Sequence, residues 1–274
     1  VPTFATPDPI SVRVAAGAGS VRLVATDRTD TVVGVRPHDP TLESDVRAAE
    51  QMRIDYRDDR KLTVSVPKRG MPRIRGGAVD IEIELPKGSR VHAELRSADL
   101  RAEGEYADVQ IGTASGDAEI DTVTARIRAA SSSGSLTVHS VAGYASLATA
   151  SGALRVQDLD GDGKFSSASG SVSVDTLRGN LKARTASGAV IVEAGVRGSV
   201  SAHTSSGEVA VGVPDGTAMR MDIVTGSGAI TNRLQPADGP EAGDEILVLS
   251  VRSGSGDVHI HRDPAGELLR QTAT

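Results

Sequence analysis

The chain has 274 residues, 38% hydrophobic but only 2% aromatic, a composition that argues against a round core built on large rings and for a thin core of Val, Ile, Leu and Ala. A net charge of −6 with both signs interspersed argues against a dominant nucleic-acid or anionic-membrane surface. The absence of cysteine excludes a disulfide framework, thiolate chemistry and a Cys-based zinc site.

Residues 1–9 carry three prolines and read as an extended lead-in. Ile10, Val12 and Val14 alternate with polar residues, the pattern of a half-buried strand. Ala15 to Ser20 reads as a Gly/Ala turn, after which Val21 and Leu23, then Val33 and Val35, resume strands. From Ser44 to Met52 the spacing of Val46, Ala49 and Arg53 fits a short helix capped by Ser44 as well as it fits a loop. Ile54 and Tyr56, then Leu62, Val64 and Val66, flank the polar run 57–61 and predict a hairpin. Pro67 to Gly77 is a basic, Gly-rich loop holding Lys68, Arg69, Arg73 and Arg75. Val79, Ile81, Ile83 and Leu85 form a clear strand, and Val91, Ala93 and Leu95 lead into a repeat.

The repeat is carried by Ser-Gly at Ser115-Gly116, Ser133-Gly134, Ser151-Gly152, Ser169-Gly170 and Ser187-Gly188, at one constant spacing. It continues with slippage at Ser206-Gly207, Ser227-Gly228 and Ser255-Gly256. Ser97-Ala98 is a degenerate copy one period upstream. Three residues after each Ser stand Leu100, Ala118, Leu136, Leu154, Val172, Val190, Val209, Ile230 and Val258. Two residues further stand Ala102, Ile120, Val138, Val156, Val174, Val192, Val211, Asn232 and Ile260. Positions two apart on a strand share a face, so both columns are read as inward. Gly143, Gly161, Gly179 and Gly198 recur about half a period later. Each unit therefore reads as strand, corner, strand, corner, with both sets of Ser-Gly and Gly positions as structural corners whose glycines take positive φ. A single coil cannot bury its apolar edge, and a stack of coils can.

The last coils lengthen. The interval from Ser206 to Ser227, with Pro214-Asp215-Gly216 at a corner, exceeds the regular period, and the interval from Ser227 to Ser255 is longer again. The excess in the latter is assigned to a loop from Gln235 to Asp244, after which Ile246 to Val251 returns as a strand.

The recurrent Ser-Gly-x-Val-x-Val coil, preceded by Ile83-Glu84-Leu85-Pro86-Lys87-Gly88-Ser89, resembles the bacterial β-strand-repeat family labelled "putative adhesin", a domain of unknown function. The resemblance runs over about residues 10–261 and implies a single-stranded β-helix. It offers no catalytic or binding residues to carry over.

Candidate chemistry is sparse. Asp158-Leu159-Asp160-Gly161-Asp162-Gly163 looks like the start of an EF-hand loop, but the twelfth position is Ser169 where a bidentate Glu is needed. His259 and His261 face the same way and lack a third ligand, while His92, His139 and His203 show no sequence partner. Glu119, Asp121 and Asp175 face outward as an acidic set. Thr113, Thr149, Thr185 and Thr204 form a ladder two residues before the Ser, interrupted by Ser131 and Ser167, and are read as internal packing.

These observations predict an all-β protein: a single-stranded parallel β-helix (β-solenoid) with coils of about 18 residues, expected to be right-handed. Residues 1–96 are an irregular β region that continues or caps it, 97–262 the regular repeats, and 263–274 a frayed tail. The expected function is a non-enzymatic, adhesin-like scaffold that binds protein or itself. The alternative is a carbohydrate-binding module or carbohydrate-active enzyme on a β-helix. No cofactor, metal, small-molecule substrate, nucleic-acid partner or membrane insertion is expected. The opening residues lack the basic and apolar regions of a signal peptide. The expected location is therefore cytoplasmic, or extracellular or cell-surface if an upstream signal or anchor has been trimmed.

Overall fold

The structure, a computed structural model, describes residues 2–57, 59–66, 77–234 and 243–262. Asp58 of the hairpin turn, residues 67–76 of the basic loop, residues 235–242 of the predicted acidic loop and the tail 263–274 lie outside the described residues. The fold is all-β, and the chain divides into two compact units, Val1–His139 and Ser140–Thr274.

The first unit contains β1 (Thr3–Ala5), β2 (Ser11–Thr26), β3 (Asp30–Pro37), α1 (Glu43–Gln51), β4 (Arg53–Arg57), β5 (Lys61–Ser65), β6 (Val79–Pro86), β7 (Ser89–Thr113) and β8 (Ala118–Ser131), and β9 (Leu136–Val141) begins in it. The predicted turn at Ala15–Ser20 is not a break. β2 runs through it, turning at Gly19, whose φ of +103° and close approach to the Val79 carbonyl both require glycine. The helix forms, but Ser44 does not cap it: Leu42 is the N-cap and contributes no side-chain bond. The turn is held instead by Asp45. Its carboxylate accepts the Ala78 and Asp39 backbone N–H groups at 3.0 and 3.1 Å, which holds it below the usual carboxylate range.

Strand order in this unit does not follow chain order. β2 pairs in parallel with β5 and β6 on one side and with β7 on the other. The first long strand thus lies between two later ones. Charge follows the same order: Arg22 on β2 reaches Glu82 of β6 at 2.9 Å and Glu103 of β7 at 3.0 Å. On the far side of this layer β3 covers β6 and β4 covers β5, both antiparallel, and β1 pairs with β3. Between β7 and β8 the stagger of the repeat sets in, with Leu100 beside Ala118 and Val109 beside Ile127, interrupted by register shifts around Glu105 and Tyr106. Polar positions keep the same step: the Asp117 N–H donates to the carboxylate of Asp99, its counterpart one coil earlier, at 3.0 Å.

The second unit contains β10 (Tyr144–Thr149), β11 (Leu154–Leu159), β12 (Asp162–Ser167), β13 (Val172–Thr185), β14 (Val190–Thr204), β15 (Val209–Val213), β16 (Thr217–Thr225), β17 (Ile230–Asn232), β18 (Glu245–Ser253) and β19 (Val258–Arg262). Every pairing found among these strands is parallel. Leu154 stands beside Val172, Val172 beside Val190, and Phe165 beside Ala183, the stagger that the Ser-Gly spacing predicts. The inward columns are buried as expected, from Leu154 and Val156 through Val209 and Val211 to Val258 and Ile260. Phe165, the bulkiest side chain in its column, is 1% exposed.

Ile230 and Asn232 break the inward rule: Ile230 is 49% exposed and Asn232 is exposed too. The cause is again strand order. β14 and β15 pair directly with β18 and β19, placing Val200 beside Leu249 and Val211 beside Ile260. β16 and β17 then pair with the opposite edges of β18 and β19. The 217–232 coil is therefore outermost, and the later 245–262 coil is inserted beneath it. At both irregular ends of the repeat the strands are thus interleaved and do not follow chain order.

Candidate interaction surface

The Ser-Gly positions lie between strands or at their ends. Ser115, Ser133, Ser151, Ser169, Ser187 and Ser206 are exposed, and the glycine that follows each of them, Gly116, Gly134, Gly152, Gly170, Gly188 and Gly207, is buried. Gly143 and Gly161 separate β9 from β10 and β11 from β12, whereas β13 and β14 run through Gly179 and Gly198.

The reason for glycine differs from the expected one at most of these positions. Of these corner glycines only Gly161 and Gly198 have positive φ. Gly116, Gly134, Gly170, Gly179, Gly188 and Gly207 are required by close stacking. A β-carbon on Gly170 would lie 1.8 Å from the Gly152 carbonyl oxygen, one on Gly188 2.1 Å from that of Gly170, and one on Gly207 2.0 Å from that of Gly188. Each of these six corners sits on a carbonyl of the coil before it, and a side chain has no room.

The threonine ladder also has a local cause. The Gly152 N–H donates to Thr149 Oγ1 at 3.0 Å and the Gly207 N–H to Thr204 Oγ1 at 2.8 Å, while Thr185 Oγ1 donates to the Gly188 carbonyl at 2.7 Å. Each hydroxyl closes its corner across three residues. Where serine interrupts the ladder, the Ser131 and Ser167 hydroxyls are buried and, among the described residues, unpaired.

The acidic and histidine candidates separate into ordinary ion pairs. Asp158 meets Arg178 at 3.4 Å, Asp160 meets Arg197 at 3.5 Å, and Asp162 accepts from Asn180 at 2.9 Å, so the three carboxylates of the EF-hand-like run face three different partners. Asp175 holds Arg155 at 2.8 Å. His139 is not unpartnered: it stands 3.3 Å from Glu119 and 3.2 Å from Asp121. His92 meets Glu94 at 3.1 Å, and His259 lies 3.7 Å from Glu208.

Two features of the second unit were hidden in the sequence. The first is a cationic face. Register brings Lys164 beside Lys182, and in the next row Arg184, His203 and Arg252 stand on successive neighbouring strands. Arg252 is tied to Asp222 at 2.6 Å; Lys164, Lys182, Arg184 and His203 have no ion pair among the described residues. Arg184, His203 and Arg252 line an open cleft of about 510 Å³ together with Thr185, Thr204 and Val224. Overall acidity therefore conceals a local cationic surface.

The second feature is an open edge. β16 pairs with β18 on one side and, among the described residues, with nothing on the other. Met219, Met221 and Ile223 continue the columns of Leu247, Leu249 and Val251, but with a neighbour on one side only, Met221 remains 39% exposed. Val224, on the opposite face, is 53% exposed.

Parallel coils, stacked corners and buried aliphatic columns define an all-β protein with a β-solenoid-like fold. The chain belongs to the Toastrack DUF4097 family, whose profile matches residues 13–263. Among solved structures, it is similar to a protein from Bacteroides fragilis described as a "putative adhesin", with 13% identity, TM-score 0.46, and coverage of 94% of this chain and 95% of that one. A "putative adhesin" from Parabacteroides distasonis has 12% identity and TM-score 0.41, with 95% of each chain covered. A "putative lipid binding protein" from the same species has 11% identity and TM-score 0.42, again with 95% of each chain covered. No curated protein matches the chain. No helix among the described residues is long and apolar enough to cross a membrane.

Proposed function

We propose that this protein is a non-enzymatic, adhesin-like interaction module that binds protein, including copies of itself, through the open end of its second unit. In this reading the regular repeats form a right-handed, single-stranded parallel β-helix whose coil length is the Ser115-to-Ser133 spacing. The observation that carries it is the β16 edge, a nine-residue strand that among the described residues is paired along one side only, with Met221 and Val224 exposed on it. An uncovered edge of this kind is a template for strand addition, and folded proteins ordinarily cover or charge such edges. The test is hydrogen exchange of the β16 amides, with and without a concentrated second copy or a captured surface protein. Slowed exchange confined to β16 on association supports the reading. Association that leaves β16 exchanging freely, or no association at all, overturns it.

The cationic face favours a second reading, binding of an acidic polysaccharide. With five aromatic rings in the chain, sugar stacking is poorly served, but Lys164, Lys182 and Arg184 offer charge, and Ser166 beside Arg184 and Ser201 beside Lys182 offer hydroxyls. Salt-sensitive binding of a sulfated polysaccharide, lost in Lys182→Glu with Arg184→Glu, supports this reading. Undiminished binding by that variant removes it.

A further inference from the structure

The β16 strand reads Thr217-Ala218-Met219-Arg220-Met221-Asp222-Ile223-Val224-Thr225. Its chemistry is nearly palindromic about Met221. Reversed and laid against itself, it sets Thr against Thr, Ala against Val, Met against Ile, and Arg against Asp. We infer that β16 pairs antiparallel with β16 of a second copy of this chain, around a two-fold axis through Met221. This rests on the interaction reading above and names its partner and register.

Four observations carry it. The strand has a free side, because the inserted β18 serves as its only neighbour among the described residues. Its apolar positions are uncovered on that side: Met221 is 39% exposed, and Val224 on the other face is 53% exposed. Its charges are complementary in this register alone. Residues directly opposite in an antiparallel pair share a face, so Arg220 of each copy meets Asp222 of the other. Arg220 is exposed and without an ion pair among the described residues. Asp222 is already held by Arg252 at 2.6 Å and, as a carboxylate with two oxygens, accepts a second cation. Lastly, the strand lacks the usual protection. It holds no proline, no lysine and no bulge, whereas in the first unit the layer of β5 and β6 is covered by antiparallel β4 and β3.

The pairing adds main-chain bonds at the alternate residues of β16 that face away from β18 and brings the two Met221 side chains together. A ladder of this length falls short of a standard interface of about 1,600 Å², so a reversible, concentration-dependent dimer is expected.

Because the chain has no cysteine, residue 221 can be tested alone. Opposed residues in an antiparallel pair have Cα atoms about 4.5–5.5 Å apart, within disulfide reach. Full-length Met221→Cys should oxidise to a covalent dimer under mild conditions. Val224→Cys, at a more exposed position but opposed by Ala218, should not. In light scattering over a concentration series, Arg220→Asp and Asp222→Arg should each weaken the dimer tenfold or more by opposing like charges. The double variant should restore it, with circular dichroism unchanged throughout.

A dimer indifferent to these changes, or a double variant that fails to recover, overturns the register and leaves self-association standing. A chain that is monomeric at every concentration while its β16 amides are protected shows the chain's own residues covering the edge, and overturns the proposal. A monomer with unprotected amides that captures another protein through β16 overturns it as well, while sparing the interaction reading. A monomer that captures nothing overturns both.

Discussion

The carbonyl oxygen of Gly207 lies 1.9 Å from the point a β-carbon on Gly256 would occupy, and that of Gly256 lies 2.1 Å from the same point on Gly228. The column of corner glycines thus runs 207, 256, 228, and records the inserted coil directly. It also shows that these glycines answer to contact and not to backbone angle.

Steric stacking predicts that the smallest side chain already fails. Gly170→Ala should destabilise by about 1–3 kcal/mol, the scale of overpacking a filled site. Gly112→Ala is the control, because its β-carbon would meet nothing within 4 Å and its φ is not positive. It should be neutral or stabilising by about 0.5 kcal/mol. Urea denaturation of the two variants checks this; equal costs would remove the stacking account.

The hydroxyl ladder predicts an asymmetry between chemically similar deletions. Thr204→Ala removes the acceptor of the Gly207 N–H and should cost about 1–2 kcal/mol, including the unpaired donor left behind. Ser167→Ala removes a buried hydroxyl that has no partner and should cost less than about 0.5 kcal/mol. Thermal melts that rank the two the other way would contradict the assignment of the corner bonds.

Strand order predicts which coil matters most. Leu249 lies between Val200 and Met221 and is fully buried, so Leu249→Ala should cost about 2–5 kcal/mol. Met221 lies outermost and part-exposed, so Met221→Ala should cost less than about 1 kcal/mol. A stack in chain order would rank these variants in reverse, and chemical denaturation at low protein concentration decides between them.

Asp45 supplies a pH dependence. Its folded pKa is lowered, chiefly by the Ala78 N–H, with further bonds from Asp39 and Ser44. Its stabilisation is therefore present above the unfolded value of about 3.9 and is lost as pH falls through the lower folded value. Asp45→Asn should lower the melting temperature at pH 7, and the difference should shrink toward zero as the medium becomes strongly acid. A difference that stays constant into strong acid would mean the carboxylate charge plays no part.

Much of this was legible in the sequence. Columns such as Leu154, Val172 and Val190 gave the stagger because every coil must place apolar side chains at the same phase. The order of the coils was not legible, because phase is all that such columns encode: Val209, Ile230 and Val258 are interchangeable as inward residues, and any of the three can sit outermost. Signals were present. Arg22 complements Glu82 and Glu103 from two different strands, and the long interval from Ser227 to Ser255 allows the chain to pass over one coil and return. The cationic face was invisible because Lys164, Lys182, Arg184, His203 and Arg252 are dispersed along the chain and meet only when the coils are laid side by side.

The insertion of residues 245–262 beneath residues 217–232 has a consequence during synthesis. When the 217–232 segment leaves the ribosome, its place on the growing sheet does not yet exist, since the surface it rests on is made by residues that follow it. In the first unit β2 faces the same wait, for partners on both sides that arrive later. Neither end can close by simple winding, and β16 and β17 have no surface to rest on until the chain has been made through Arg262.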